Sequence, residues 1–207
     1  MAYINLGQVE NALIKLGLSV FSVSEFSKIF NIKPTTARSF LSRNSKKKGS
    51  HFFKLKRGIY SFSINPPIKF EIANKVYQPS YISFETALSY YNIIPETVYI
   101  VTSATTKRSK EFTIRNSIFR YYKIKKRLFF GYQPQKIRNK TILIAEKEKA
   151  LLDYIYFLSL KKQPFLERLD LSKIDTDRLG YFVSFFKKAV KKNKVFLSLI
   201  RKIYKSI

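Results

Sequence analysis

The chain lacks cysteine altogether and has one histidine among its 207 residues. A disulfide framework, a thiol nucleophile and an ordinary zinc site are therefore excluded. A Ser/His/Asp triad has only His51 to draw on, and His51 stands among basic residues, so we expect it to be a surface or strand residue. We predict that the protein is not an enzyme and binds neither a cofactor nor a metal.

Acidic residues are scarce, because 13 Asp and Glu stand against 40 Lys and Arg, which gives a formal net charge of +27. The hydrophobic fraction of 45% is enough for a folded core. A surface this basic favours a polyanionic partner, and nucleic acid fits best because its phosphates exchange bound counterions for Lys and Arg.

Long apolar runs are also missing. The longest, "ALLDYIYFLSL", is too short to span a bilayer and contains Asp153. The start, "MAYINLGQVENAL", does not have the pattern of a secretory signal. We therefore expect no membrane partner and a cytoplasmic protein.

Two carboxylate pairs deserve comparison with catalytic motifs. Asp175 and Asp177 have the D-x-D spacing used in nucleotidyl transfer, and Glu146 and Glu148 are spaced alike. Both pairs stand at predicted helix starts, where acidic side chains cap the helix and offset its dipole. No glycine-rich phosphate loop precedes either pair. Capping is the favoured interpretation, and a nucleotidyltransferase is the minority alternative.

Adjacent prolines in "SINPPIKF" predict a domain boundary, with one domain at 1–66 and a second at 67–207. Residues 1–67 contain 11 basic and 2 acidic residues, and the remainder contains 29 and 11. Both domains are therefore basic. The overall expectation is a mixed α+β protein.

In the first domain, "INLGQVENALIKLG" predicts a helix with Val9, Leu13 and Leu16 on one face, ending at Gly17. A second helix is expected after Ser22, which can form a capping box with Glu25. Phe21 and Phe26 are placed for the hydrophobic staple that often accompanies such a box.

A third helix is expected from Pro34, which suits the first helical position. The alternating run "HFFKLKRGIYSFS" then predicts a β-hairpin that turns at Arg57 and Gly58. Three helices followed by a hairpin are the order of a winged helix-turn-helix domain.

On the third helix Ala37, Phe40 and Leu41 should pack inward. The outward residues would form a recognition helix reading bases in the major groove: Thr35, Thr36, Arg38, Ser39, Ser42 and Arg43. Phosphate and wing contacts are predicted at Lys46, Lys47, Lys48, Lys54, Lys56 and Arg57. The competing interpretations are a solvated basic helix and ordinary exposed strand charges.

The second domain mixes elements. A helix should begin at Ser83, strands are expected at "VYIVTS", "IFRYYKI", "RLFFGYQ" and "TILIA", and helices at 146–160, 175–190 and 193–207. We expect a small sheet with helices packed on it, in an α+β or α/β arrangement.

Basic residues concentrate again between Thr105 and Lys140, with 12 Lys and Arg and only Glu111 acidic. The predicted C-terminal basic surface comprises Lys107, Arg108, Arg115, Arg120, Lys125, Lys126 and Arg127. Interleaved aromatics, Tyr121, Tyr122, Phe129, Phe130 and Tyr132, are assigned to the core in preference to base stacking. Lys187 to Lys205 adds eight basic residues, and duplex DNA, RNA and an acidic protein remain open as partners of this half.

Three segments of the second domain resemble a known family: "YISFETALSYYNIIPETVYIVTSATTKR", "FFGY" and "IAEKEKALLDYIYF". Together they are similar to the AbiEi-type antitoxins of type IV toxin-antitoxin systems, which act in phage abortive infection. "LKRGIY" is similar to the family's pattern at the end of its N-terminal winged helix, so the resemblance extends over nearly the whole chain.

The resemblance implies a transcriptional autorepressor that binds inverted repeats in the double-stranded DNA of its own promoter, and that is associated with the bacterial nucleoid when it is bound there. It also implies an antitoxin that opposes a nucleotidyltransferase-like toxin without requiring a stable complex with it, and a C-terminal antitoxin domain of nucleotidyltransferase-related architecture. Two alternatives remain: a solitary transcriptional regulator, and an RNA-binding competitor that acts through the basic C-terminal domain.

Overall fold

The computed structural model describes residues 5–161, 168–190 and 193–207. Across these ranges the fold is mixed α+β, with eight α-helices, a three-stranded antiparallel sheet and a six-stranded mixed sheet. The expected fold class is confirmed at this level. The chain divides into two compact units, Met1–Val76 and Tyr77–Ile207, which are described in turn.

In its described part, residues 5–76, the first unit contains four short helices and three short strands. Its elements are α1 (Leu6–Lys15), β1 (Val20–Ser22), α2 (Val23–Ile29), α3 (Pro34–Asn44), β2 (Phe52–Lys56), β3 (Ile59–Phe62) and α4 (Lys69–Val76). The strands form a sheet of order β1-β3-β2 in which both pairings are antiparallel. The predicted hairpin is confirmed as β2 and β3, and Gly58 at its turn has φ +79°.

The start of α2 is fixed by the predicted capping box. Ser22 Oγ accepts from the backbone N–H of Glu25 at 3.1 Å, and the Glu25 carboxylate accepts from the backbone N–H of Ser22 at 2.8 Å. The rings of Phe21 and Phe26 lie 5.6 Å apart, as the staple requires. Both local predictions are confirmed.

The face of α1 differs from the prediction at one position. Val9 and Leu13 are buried, but Leu16 is 56% exposed. The helix ends at Lys15, and Gly17 takes φ +63° so that the chain can reverse direction, which moves Leu16 off the buried face. The expectation for Leu16 was therefore wrong.

The first unit extends beyond the predicted boundary at residue 66 because α4 is tied into it. The Glu71 carboxylate accepts from Ser19 Oγ at 2.6 and 2.8 Å, and Lys75 pairs with Glu25 of the capping box. Lys56 Nζ also donates to the carbonyl of Val76. The two prolines thus lie inside the unit, in the segment between β3 and α4.

The second unit contains the larger sheet. Its elements are β4 (Ser80–Ile82), α5 (Phe84–Tyr90), β5 (Val101–Thr105), β6 (Lys110–Ile114), β7 (Ser117–Lys123), β8 (Tyr132–Ile137), β9 (Lys140–Ala145), α6 (Lys147–Lys161), α7 (Thr176–Ala189) and α8 (Lys194–Ser206), with short 3₁₀ helices at Lys126–Leu128 and Leu171–Lys173.

The sheet has the order β6-β7-β5-β4-β9-β8. Its inner pairings β5–β7 and β4–β9 are parallel, whereas β4–β5 and the two edge hairpins are antiparallel. Helices α5 and α6 pack on one face, where Phe84 and Phe157 meet Tyr122 of β7. The sheet with packed helices is confirmed.

One predicted strand was placed too early. "RLFFGYQ" was expected to be extended throughout, but its beginning belongs to the 3₁₀ helix and β8 starts only at Tyr132. Leu128 turns inward to be buried, and Gly131 has φ +70°, outside the extended region. The strands β1, β4 and β6 and the helix α4 were not predicted.

In the part of the chain that the structure describes, no helix has the length and apolar character needed to cross a membrane. The apolar run noted in the sequence lies in α6, where Asp153 is fully buried.

Candidate nucleic-acid interface

Helix α3 separates its apolar and polar side chains as predicted. Ala37, Phe40 and Leu41 are 5% exposed or less. The opposite face presents Thr35, Thr36, Arg38, Ser39 and Arg43 to solvent, with Ser42 half-buried at its margin. The helix therefore offers hydroxyl and guanidinium groups, which are suited to hydrogen bonding with base edges and phosphates.

The turn before α3 holds the helix at a defined angle to α2. Asn31 adopts φ +46°, a conformation that Asn tolerates better than most residues, and Ser27 Oγ donates to the carbonyl of Ile32 at 2.6 Å. The rings of Phe26 and Phe40 lie 5.6 Å apart and join the two helices. The outward face of α3 is thus carried on a packed helix pair.

The amino end of α3 has free hydrogen-bonding capacity. Pro34 occupies the first turn, and the N-cap residue Lys33 makes no side-chain hydrogen bond to the helix. The N–H groups of a helix's first turn have no partner within the helix, and they attract anions together with the helix dipole. A phosphate group fits at this end.

Arg38 lies close to the hairpin as well as on α3. Burial raises the pKa of the Tyr60 hydroxyl above its ordinary value, and the positive charge of Arg38 partly offsets that rise. Tyr60 is a β3 residue with 3% exposure. The charge of Arg38 therefore acts on a buried residue of the hairpin.

The remaining predicted contacts of the first unit fall into two groups. Lys46, Lys47 and Lys48 follow α3 and are exposed, as are Lys54 and Arg57 on the hairpin. Lys56 is half-buried, and its ammonium is bonded to the Val76 carbonyl. This bond gives Lys56 a structural role, and we expect it to make no contact with nucleic acid.

The predicted C-terminal basic surface contains both exposed residues and residues that are already bonded to other groups. Lys107, Arg108, Arg115 and Lys126 are exposed. Arg120 pairs with Glu111 at 2.6 Å across the β6–β7 ladder. Lys125 and Arg127 both donate to the carbonyl oxygen of Ala189, at 2.9 and 2.7 Å, at the carboxyl end of α7. These seven residues are not one uniform patch.

Of the two carboxylate pairs, only Asp175 is seen to cap its own helix, and Glu146 and Glu148 bond to the start of α7 instead of capping α6. Asp175 accepts from the backbone N–H of Arg178 at 2.9 Å and caps α7. Glu148 accepts from the backbone N–H of Asp175 at 3.0 Å, and Glu146 forms an ion pair with Arg178 at 2.7 Å. Among the residues described, no three His, Cys, Asp or Glu side chains cluster as a metal site would require.

A buried polar cluster in the second unit was not predicted. Lys149 and Asp153, four residues apart on α6, form an ion pair with 0% side-chain exposure. Tyr81 donates to Asp153 Oδ2 at 2.9 Å and accepts from Lys149 Nζ at 2.7 Å, and Ser83 donates to Asp153 Oδ2 at 2.8 Å. Burial lowers the pKa of Lys149, against the opposing effect of Asp153.

The three segments that carry the family resemblance meet at this cluster. The first contributes Tyr81 and Ser83, and the last contributes Lys149 and Asp153. From "FFGY", Gly131 lies against the Lys149 stem, where an added Cβ would approach Cγ to 2.9 Å. The sequence feature that could have predicted this cluster is a Lys and an Asp four residues apart inside an apolar helix. These segments thus have a packing role in this chain.

Of the five interleaved aromatics one is buried and four are half-buried, and all five pack against other rings of the second unit. Tyr121 is fully buried, and Tyr132 stacks on Tyr81 with ring centroids 4.4 Å apart. Phe129 packs on the same two rings. Phe130 is half-buried and contacts α7 through Phe182 and Phe185.

Comparison with models of known protein families finds no match to this chain, and comparison with curated proteins finds no significant similarity. The similarity to AbiEi-type antitoxins therefore stays a prediction from the quoted segments.

Proposed function

We propose that the protein is a sequence-specific DNA-binding transcriptional repressor whose first unit is a winged helix-turn-helix domain. The observation that carries the proposal is the outward face of α3, which exposes Thr35, Thr36, Arg38, Ser39 and Arg43 on a helix packed against α2. The order of three helices and a hairpin, with β1 completing a small sheet, supports the domain type.

The charge distribution supports duplex DNA as the partner of this unit. Lys46, Lys47 and Lys48 extend the α3 surface, and Lys54 and Arg57 stand on the hairpin. In the proposed complex α3 lies in the major groove, the three lysines contact phosphates, and the hairpin reaches the adjacent backbone or minor groove.

The biological role that we propose is autorepression combined with an antitoxin activity against a nucleotidyltransferase-like toxin. It rests on the similarity of "YISFETALSYYN", "FFGY" and "IAEKEKALLDYIYF" to AbiEi-type antitoxins. The second unit would be the antitoxin domain. Asp175 caps α7, and Glu146 and Glu148 are bonded at the start of the same helix, which supports a domain without catalytic function.

A mobility-shift titration tests the DNA-binding proposal. The probe is the duplex directly upstream of the gene, at about 150 mM salt, with random duplex and a structured RNA as competitors. We expect discrete shifted species that resist random duplex. Equal competition by any duplex would reduce α3 to a non-specific basic helix, and preferential loss to the RNA would reject a duplex-reading function.

The antitoxin role needs a separate test. A nucleotidyltransferase-like gene adjacent to this one is expressed with the wild-type protein or with the variant Arg38→Ala, from a promoter that neither protein regulates. We expect both forms to restore growth, because the proposed antitoxin activity belongs to the second unit. Failure of both would reject the antitoxin role and leave the DNA-binding result unaffected.

A further inference from the structure

The carboxyl end of α7 brings together two basic runs that lie far apart in the sequence. Lys125 and Arg127, from the segment before β8, both hydrogen bond to the carbonyl of Ala189 in α7. Lys187 and Lys188 stand in the last turn of the same helix. The resulting α7 cation cluster consists of exposed Lys125, Lys126, Arg127, Lys187 and Lys188.

The sequence stretches that contribute this cluster contain no acidic residues. No Asp or Glu occurs from Phe112 to Ala145 or from Leu179 to Ile207. The carboxyl end of a helix contributes about half a negative charge, which is much less than the five positive charges gathered around it. Their mutual repulsion is relieved when an anion binds, so the cluster favours a ligand with several phosphates.

Exposed aromatic rings continue from the cluster along α7. Tyr181 is 55% exposed and Phe185 is 38% exposed, and their ring centroids lie 5.1 Å apart. Phe130 packs against Phe185 with the same centroid separation. Because residues three and four apart share a helix face, Tyr181, Phe185 and Lys188 form one stripe.

We propose that this surface binds single-stranded nucleic acid, with bases stacked on Tyr181 and Phe185 and phosphates bound by the lysines Lys126, Lys187 and Lys188 of the α7 cation cluster. Lys125 and Arg127, which are bonded to the Ala189 carbonyl, fix the position of the cluster and add to its charge. Rings beside cations are the combination that single strands use, because their bases are free to stack on protein. Duplex bases are already stacked on one another and do not offer their faces. The surface belongs to the second unit, so the proposal does not depend on DNA reading by α3.

The test is a fluorescence-anisotropy titration of the full chain with a labelled oligouridylate of about 12 nucleotides. We expect the double variant Tyr181→Leu, Phe185→Leu to bind about tenfold more weakly or worse, because leucine keeps the apolar packing of these positions but cannot stack. Tyr181→Phe should bind like the wild type. The matched control is Tyr99→Leu, since Tyr99 is 80% exposed in the same unit and away from the stripe in sequence.

A second probe separates stacking from charge. An abasic sugar-phosphate oligomer of the same length should bind the ring variant and the wild type equally, whereas Lys126→Gln, Lys188→Gln should weaken both probes. The proposal is overturned if the ring variant matches Tyr99→Leu, or loses affinity for both probes alike. It is also overturned if Arg38→Ala abolishes binding, or if polyglutamate displaces the oligonucleotide as well as unlabelled strand does, which would identify an acidic protein partner.

Discussion

Arg38 is the residue on which sequence discrimination should depend most. Its guanidinium is exposed on α3, and bidentate bonding to guanine is a common specific contact. We expect Arg38→Ala to cost about 1–3 kcal/mol on the operator and little on random duplex. Parallel titrations of both duplexes measure the difference, and equal losses would make Arg38 a phosphate contact.

Lys149 and Asp153 provide a stability prediction. Lys149→Met leaves the Asp153 carboxylate buried with only the hydroxyls of Tyr81 and Ser83 as donors, so we expect a loss of about 3–5 kcal/mol in unfolding free energy. Adding Asp153→Leu removes the uncompensated charge and should recover part of that loss.

Urea unfolding of both single variants and the double variant measures this coupling. Tryptophan is absent, so far-ultraviolet circular dichroism is the suitable signal. Simple addition of the two single losses in the double variant would contradict a mutually dependent buried pair.

At the scale of elements, the start of α2 links the capping box to α4 through Glu25. Burial alone would raise the pKa of Glu25, but hydrogen bonds from Lys75 and Ser22 more than offset it, so the pKa lies below the ordinary value of 4.5. Because the pKa is lowered in the folded state, the ionised carboxylate of Glu25 stabilises the fold at pH values above the ordinary pKa of 4.5. The contribution is lost as the pH falls through the folded-state pKa.

We therefore expect Glu25→Gln to destabilise the first unit by about 0.5–1 kcal/mol at neutral pH, a modest value because the Glu25 side chain is 46% exposed. The difference from wild type should shrink as the pH falls below about 4.5. Amide hydrogen exchange at Phe21 and Phe26 reports on this unit. A difference that does not change with pH would show that the charge of Glu25 is not the cause of the lost stability.

Elements with strong local signals were predictable, and those that depend on distant partners were not. Ser22, Pro34 and Gly58 act through nearby backbone, so α2, α3 and the hairpin could be placed from sequence. The three-residue strands β1 and β4 exist because other strands pair with them, and such short segments carry no periodicity of their own.

The candidate sites show the same limit. The outward face of α3 follows from helical spacing alone. The meeting of Lys125 and Arg127 with α7 joins residues more than sixty positions apart and needs the folded chain. The buried cluster around Asp153 joins residues seventy positions apart for the same reason.

At the scale of the whole molecule, the formal charge of +27 is larger than the positive charge that is available to contact a nucleic acid. Arg120 is neutralised by Glu111, and Lys56 is bonded to the Val76 carbonyl. Only cations that touch phosphates displace counterions and contribute to the salt dependence of binding. The number of phosphate contacts should therefore be determined from the slope of log K against log salt concentration.

We expect Lys47→Ala to weaken binding to all duplexes and to make the slope of log K against log salt shallower by about one. Lys56→Gln is the matched control and should leave the slope unchanged, because its ammonium is already engaged. Titrations across a salt series measure both. An unchanged slope for Lys47→Ala would exclude it as a phosphate contact.

The attachment of α4 to the first unit determines where the chain can be divided into working fragments. A fragment that stops at residue 66 loses Glu71 and Lys75, and with them the partners of Ser19 and Glu25. In that fragment the parts of β1 and α2 that contact α4 would be exposed to solvent. A fragment that ends after Val76 keeps those partners, and so a fusion joint or protease site intended to separate the two halves belongs between Val76 and Tyr77.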